Sequence, residues 1–396
     1  MRATSLLQAS IAGQWVNGWL YKDQLLLWDR RGALFHTPLS SLVRRIGTDY
    51  DEDVAFSAQV ALFRNDWKSG LQTAAFSRST RMREAMREVI VQAEKVGTIE
   101  LPADLLREAH IDRVPGLVLA VSIYGNHTFI GSSEGLFETN VNPEYLNGRI
   151  DMTQRLSSAT HDIETNYGAI AASGFEEGLW FDEIDFGEGA SWLYPHPMRQ
   201  IGEFSAGVSM ASTNLLNFTD SNSPDLYLGM LERRQQSARA NFTTLAVTGY
   251  NRSDADIARL AARSLRLEDY QPERGDVRLL SNSRHRFLYD VQGSLRVLRL
   301  LTGSEIKLDK PVKLPARVEE VTGGERLEST HPLGEGFLME TFDQISWVGH
   351  HGVIRVTATP AVAVRTFPVS RHFQEVALII EDERALLVGM LDFPRA

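Results

Sequence analysis

The chain has 396 residues, 43% of them hydrophobic and 23% charged, with a formal net charge of −10. That is enough length for one large core or two ordinary ones, and the composition excludes global disorder, collagen and extended coiled coil. No apolar run approaches the roughly 20 residues a membrane helix needs, and the acidic balance argues against a broad phosphate-binding face.

Cysteine is absent, which excludes disulfide staples, thiolate zinc sites and a cysteine nucleophile. The opening stretch Met1-Arg2-Ala3-Thr4-Ser5-Leu6-Leu7-Gln8 is broken by Gln8 and Ser10 before it becomes a signal-peptide core. The expectation is a cytoplasmic protein with no membrane partner.

Most of the chain reads as short strands rich in Leu, β-branched and aromatic residues, bounded by Gly, Asn, Asp or paired charges. In order they include Trp15 to Trp19, Leu25 to Trp28, Leu117 to Tyr124, Thr128 to Ile130, Tyr167 to Ala172, Phe287 to Asp290, Val353 to Thr357, Val376 to Ile380 and Ala385 to Met390. Two segments break the pattern. Thr80 to Val96 carries Met82, Ala85, Met86, Val89 and Ala93 at helical spacing, with Ser79 or Thr80 as cap and Gly97 as stop. A shorter helix is expected over Ala103 to Ala109. Ser253 to Leu265 has a similar face of Ile257, Leu260, Ala261 and Leu265. Residues 79–110 and 252–267 are therefore read as helical insertions in one β domain covering 1–396.

A phrase recurs: an apolar strand, a short polar turn, glycine, an apolar residue, then another strand. It ends on Gly32, Gly135, Gly178, Gly293 and Gly352, in contexts such as Phe129-Ile130-Gly131-Ser132-Ser133-Glu134-Gly135-Leu136-Phe137 and Gly174-Phe175-Glu176-Glu177-Gly178-Leu179-Trp180. Glycine supplies the positive φ a tight hairpin needs. The intervals are 103, 43, 115 and 59 residues. A unit of roughly 45 to 58 residues fits once or twice into each, the length of a four-stranded sheet with its loops. One strand or two precede the first phrase and the last lies near the C-terminus, as when one sheet is shared between the two ends.

On these phrases the chain resembles the β-propeller superfamily. The Trp28-Asp29 pair is similar to a WD-repeat signature and Gly323-Gly324 to a kelch one, each present once. The resemblance implies an all-β propeller of six or seven four-stranded blades. A pair of stacked β-sandwiches is the rival fold.

Signatures of nucleotide, zinc-protease, EF-hand and serine-hydrolase sites are missing. His350-His351 would point apart on a strand and chelate poorly. The carboxylates Glu176, Glu177, Asp182, Glu183, Asp185 and Glu188 read as a solvated loop, a docking patch for a basic partner, or a glycosidase pair. Two segments combine aromatics with His or Arg, and aromatics and Arg are the residues that most often anchor interfaces. They supply the candidate binding residues Trp192, Tyr194, His196, Arg365, Phe367, Arg371 and His372. Packing is the other reading of both segments, with Phe367 in the core.

The sequence thus favours a non-enzymatic scaffold subunit of a larger, bacterial assembly. It would bind other protein subunits through propeller loops, with no cofactor, no metal and no broad nucleic-acid surface. A propeller hydrolase or lyase with Asp, Glu, Arg or His at the channel mouth, or a carbohydrate-binding propeller, is the alternative.

Overall fold

Short strands make up most of the described residues, with helices between the third and fourth strands of one sheet. The computed structural model describes residues 4–63, 79–142, 146, 151–166, 168–184, 198–211, 214–218, 226–235, 243–250, 277–283, 286–291, 294–300, 306–350, 352–368, 370 and 372–392. Among these residues the strands form seven sheets, six of four strands and one of five. They belong to two units, Met1–Arg30 with Leu34–Ala109 and Lys313–Ala396, and Arg31–Ala33 with His110–Val312.

The second unit holds four antiparallel sheets, each in chain order. They are β7 (Val118–Tyr124), β8 (His127–Ser132), β9 (Gly135–Asn140) and β10 (Met152–Leu156); β11 (Asp162–Asn166), β12 (Ala169–Ser173), β13 (Leu179–Glu183) and β14 (Arg199–Gly202); β15 (Gly207–Ala211), β16 (Asn214–Phe218), β17 (Leu226–Gln235) and β18 (Thr243–Tyr250); β19 (Val277–Ser283), β20 (Arg286–Val291), β21 (Ser294–Leu300) and β22 (Ile306–Pro311). The first strands of successive sheets, β7, β11, β15 and β19, lie against one another. Asp162 at the head of β11 accepts the backbone N–H of Val208 in β15 at 2.9 Å, a tether from one sheet to the next.

The first unit holds three sheets. One is β2 (Trp15–Tyr21), β3 (Gln24–Asp29), β4 (Leu34–Pro38) and β6 (Arg107–Glu108); another is β23 (Ser329–Leu333), β24 (Gly336–Glu340), β25 (Ile345–Gly349) and β26 (Gly352–Thr357). The third takes β27 (Ala361–Thr366), β28 (Val376–Glu381) and β29 (Arg384–Asp392) and completes itself with β1 (Thr4–Ala12). β1 pairs antiparallel with β29 from Thr4↔Asp392 to Ala12↔Arg384, so the sheet is shared between the two ends as expected. Here too first strands are neighbours, β23 with β27 and β27 with β2. This is the blade plan of a β-propeller, and the chain is of that all-β class.

The glycine phrases mark one place in the plan. Gly32, Gly135 and Gly178 have φ of +75°, +143° and +94° and follow the second strand of their sheets. A Cβ on Gly135 would strike the Leu156 carbonyl, and one on Gly178 the Gly202 carbonyl. Outer-strand Gln154 and Gln200 cap these turns alike, donating to the Glu134 and Glu177 carbonyls at 3.0 and 3.1 Å. Gly352 differs: it opens β26, one hairpin later than the others, and it lacks a positive φ. Gly293 lies outside the described residues, between β20 and β21.

Between β4 and β6 the chain leaves its sheet. α1 (Leu39–Asp49) and α2 (Glu52–Ala58) come first, then a π-helical turn over Gln59–Phe63. Sequence patterns alone did not reveal them, although Leu39, Leu42 and Ile46 share a buried face and Asp51 caps α2 through the Val54 N–H at 2.9 Å. The turn packs so closely on β29 that a Cβ on Gly389 would strike the Ala61 carbonyl.

α3 (Thr80–Val96) has the expected Ser79 cap and Gly97 stop, with Gly97 at φ +71°. Of its predicted face, Met86 is buried and Val89 half-buried, while Met82 is exposed. Ala103 to Ala109 is not a second helix. Only Ala103–Leu105 turns, as a 3-10 helix, because Leu106 becomes extended and brings Arg107–Glu108 onto β4. β5 (Thr98–Leu101) then adds to the far side of β1 in parallel, from Gln8↔Thr98 to Ile11↔Leu101. The segment 252–267 lies outside the described residues.

Candidate interaction site

The turn joining β12 to β13 is where an exposed aromatic group, backbone strain and negative charge coincide. Gly174 N–H donates to the Gly178 carbonyl at 3.0 Å and Gly178 N–H to the Phe175 carbonyl at 3.0 Å. Inside this loop Phe175 has φ +52°, a region a bulky side chain adopts only under constraint. The constraint is a two-way bridge: Phe175 N–H donates to Ser205 at 2.8 Å and Ser205 N–H to Phe175 at 3.0 Å. The Ser173 hydroxyl also donates to the Ser205 carbonyl, at 2.6 Å.

Held this way, Phe175 is 40% exposed and Phe204 beside it 36%. Their centroids are 6.3 Å apart, and His161 meets Phe175 edge-on at 4.3 Å. Burial holds the His161 imidazole below its usual pKa. Ile201 on β14, three residues before Phe204, is 38% exposed. Glu176, Glu177 and Glu203 are exposed in the same turn and strand end. Arg199, the basic residue of β14, places its guanidinium over the Phe181 ring at 5.9 Å. Exposed large apolar groups thus sit on a strained, well-braced loop beside exposed carboxylates.

The carboxylate cluster read from sequence is divided by the fold. Glu176 and Glu177 are in the turn, Asp182 turns inward to Arg155, and Asp185 and Glu188 lie outside the described residues. Phe175, which the sequence reading did not single out, stands where the hairpin phrase calls for a polar residue, and that departure is the signal in the sequence that points to it. Ile201 and Phe204 gave none.

Of the residues singled out in the sequence, Trp192, Tyr194, His196 and Arg371 lie outside the described residues. Arg365 and Phe367 are brought together with Trp19, while His372 meets Phe373. The Arg365 guanidinium lies 5.7 Å from the Trp19 ring centre, and its Nε donates to Asn17 Oδ1 at 3.5 Å. Phe367 is 6% exposed, edge-on to Trp19 at 5.6 Å and to Phe373 at 6.1 Å. His372 is exposed, with its backbone N–H on the Ser370 hydroxyl at 3.2 Å. Arg365 and Phe367 brace the end of β27 against β2, and His372 is open to solvent.

One group has the composition of a hydrolase triad. Ser329 and Glu340 are partners in the β23–β24 register and hydrogen-bond each other. His331 Nε2 lies 2.7 Å from both the Ser329 hydroxyl and the Glu340 carboxylate. A triad needs the acid on one imidazole nitrogen and the nucleophile on the other. Here one nitrogen meets both, so the arrangement fastens a hairpin rather than relays a proton. Among the described residues no group of three or more His, Asp and Glu could hold a metal ion, and no helix is long and apolar enough to cross a membrane.

No protein-family model and no curated protein sequence matches the chain. Solved structures do align along nearly its whole length. The WD40 domain of Neurospora crassa Pan2 covers 99% of this chain and 97% of its own, at 9% identity and TM-score 0.47. The β-propeller domain of Myceliophteria thermophila Cps50 (Swd1) covers 95% and 96%, at 9% identity and TM-score 0.46. The N-terminal domain of Nup159 covers 97% and 89%, at 9% identity and TM-score 0.45.

Proposed function

We propose that residues 1–396 form one non-enzymatic interaction domain, a subunit of a larger cytoplasmic assembly. It captures a basic segment of a partner protein on the Phe175–Phe204–Ile201 patch. The observation that carries this reading is Phe175: a solvent-facing aromatic held at positive φ by paired hydrogen bonds to Ser205. Strain of about 1–2 kcal/mol is being maintained for a side chain that the fold leaves 40% exposed. Glu176, Glu177 and Glu203 supply the complementary field, which sets partner choice and encounter rate.

The test is a random peptide display library panned against the whole chain. The expected result is enrichment of peptides with an apolar anchor flanked by Lys or Arg. Phe175→Ala should weaken the recovered peptides about tenfold or more, or about 1.4 kcal/mol. Recovery of no such peptide, or of peptides indifferent to both Phe175→Ala and Phe204→Ala, would overturn the reading.

A further inference from the structure

We infer that the partner segment binds as an extended strand added to the outer edge of β14, forming a fifth strand of that sheet. This rests on the docking patch just proposed and specifies the backbone geometry of its occupant.

The first argument is β14 itself. It is the last strand in the order β11-β12-β13-β14, so among the described residues no strand pairs with its outer edge. Such an edge presents a row of backbone donors and acceptors ready for another chain. Arg199, Gln200 and Ile201 are all exposed, whereas β10, the equivalent outer strand of the preceding sheet, is half-buried apart from Gln154. Proteins often guard such edges with outward charges, but the Arg199 guanidinium is over Phe181 instead. The Gln200 side chain is tied to the Glu177 carbonyl at 3.1 Å, anchoring the strand to the turn that bears Phe175.

The second argument is a precedent within the protein. β5 already lies outside β1 as the fifth strand of its sheet. Its contacts mix ladder pairing with side-chain bonds at matching positions, Thr98 to Gln8 at 3.2 Å and Ser10 to Glu100. A fourth strand of this architecture therefore accepts a fifth without losing its own pairing. On β14 the added strand would run beside Ile201 and reach Phe204 and Phe175. Its apolar side chains, alternating along one face, would meet the rings, and its basic residues would meet Glu176, Glu177 and Glu203.

The experiment uses the strongest basic–apolar peptide from the display selection and the whole chain. Backbone N-methyl groups are introduced one residue at a time. An added strand turns alternate N–H groups toward the edge, so methylation at every second position should weaken binding tenfold or more, and the intervening positions should change it less than threefold. Amide exchange at Arg199–Gly202 should slow in the complex. Tolerance of methylation at all positions, or unchanged exchange at β14, would overturn the added strand. Continued sensitivity to Phe175→Ala in that case would leave the patch standing. Recovery of no basic–apolar peptide would remove both.

Discussion

Arg155, on the outermost strand of one sheet, hydrogen-bonds through a terminal guanidinium nitrogen to Asp182, on the third strand of the next. Its other terminal nitrogen holds Glu138, which also meets His127 Nδ1 at 2.6 Å. The Arg155 and Glu138 side chains are only 8% and 3% exposed. Removing Arg155 takes the shared guanidinium away from two carboxylates that are largely shut off from water, and Glu138 keeps His127. Arg155→Ala should therefore cost about 3–5 kcal/mol. Combined replacement of Arg155, Glu138 and Asp182 by Met, Leu and Leu should recover most of that loss, because desolvation no longer has to be offset. Urea unfolding of the two variants checks both.

Acid should weaken the fold through Glu138 and Glu340. Burial pushes each carboxyl up. The His127 hydrogen bond and the Arg155 charge more than reverse this for Glu138, as do the His331 and Ser329 hydrogen bonds for Glu340. Both folded values lie below the ordinary carboxylate range of about 4.3. Between the folded and unfolded values the unfolded chain binds more protons. The stabilisation is thus complete above about pH 4.3 and lost as pH falls through the folded values. Urea midpoints at pH 7, 5, 4 and 3 should dip between the first two, because burial disfavours the charged form of His36 and His161 in the fold, and should fall again over the last two, where Glu138→Gln should flatten the fall.

Gly135 and Gly178 do the same work in successive sheets and should respond alike. Each has a positive φ, and each would drive a Cβ into the carbonyl of an outer-strand residue. Gly135→Ala and Gly178→Ala should each cost about 1–3 kcal/mol in thermal or urea unfolding. Gly352→Ala, where a Cβ meets open space, should cost far less.

Phe175 and Phe367 should separate binding from stability. Phe367→Ala empties a site between Trp19 and Phe373 and should cost about 3–5 kcal/mol. Phe175→Gly removes an exposed ring and relieves a positive φ, so its stability should stay within about 1 kcal/mol of the parent. Peptide capture should nevertheless be lost. Paired unfolding curves and peptide-binding isotherms read out both.

The sheet plan was legible in the sequence because hairpin glycines answer a local demand. Gly32, Gly135 and Gly178 need positive φ whatever surrounds them, and their spacing carries the repeat. Gly352 shows the limit, since the same phrase fits a different hairpin when that hairpin also closes tightly. α1 and α2 were missed because eleven- and seven-residue helices offer few periods to detect. The patch was legible only in part. Glu176 and Glu177 are sequence neighbours of Phe175, whereas Phe204 arrives through the bridge between Phe175 and Ser205 and Ile201 with the strand that precedes it. Phe367 illustrates the converse: an aromatic beside Arg365 reads as an anchor in sequence and packs into the core in the fold.

The position of β5 bears on the order in which a growing polypeptide can organise itself. β1 waits for β29, which leaves the ribosome more than 370 residues later, a delay on the order of 20 to 70 seconds at ordinary elongation rates. β5 follows β1 by fewer than 100 residues. It can shield one side of that strand while the remaining sheets are still being made, then yield nothing when the permanent neighbour docks opposite. A sticky early segment thus has a temporary guardian that becomes part of the finished molecule.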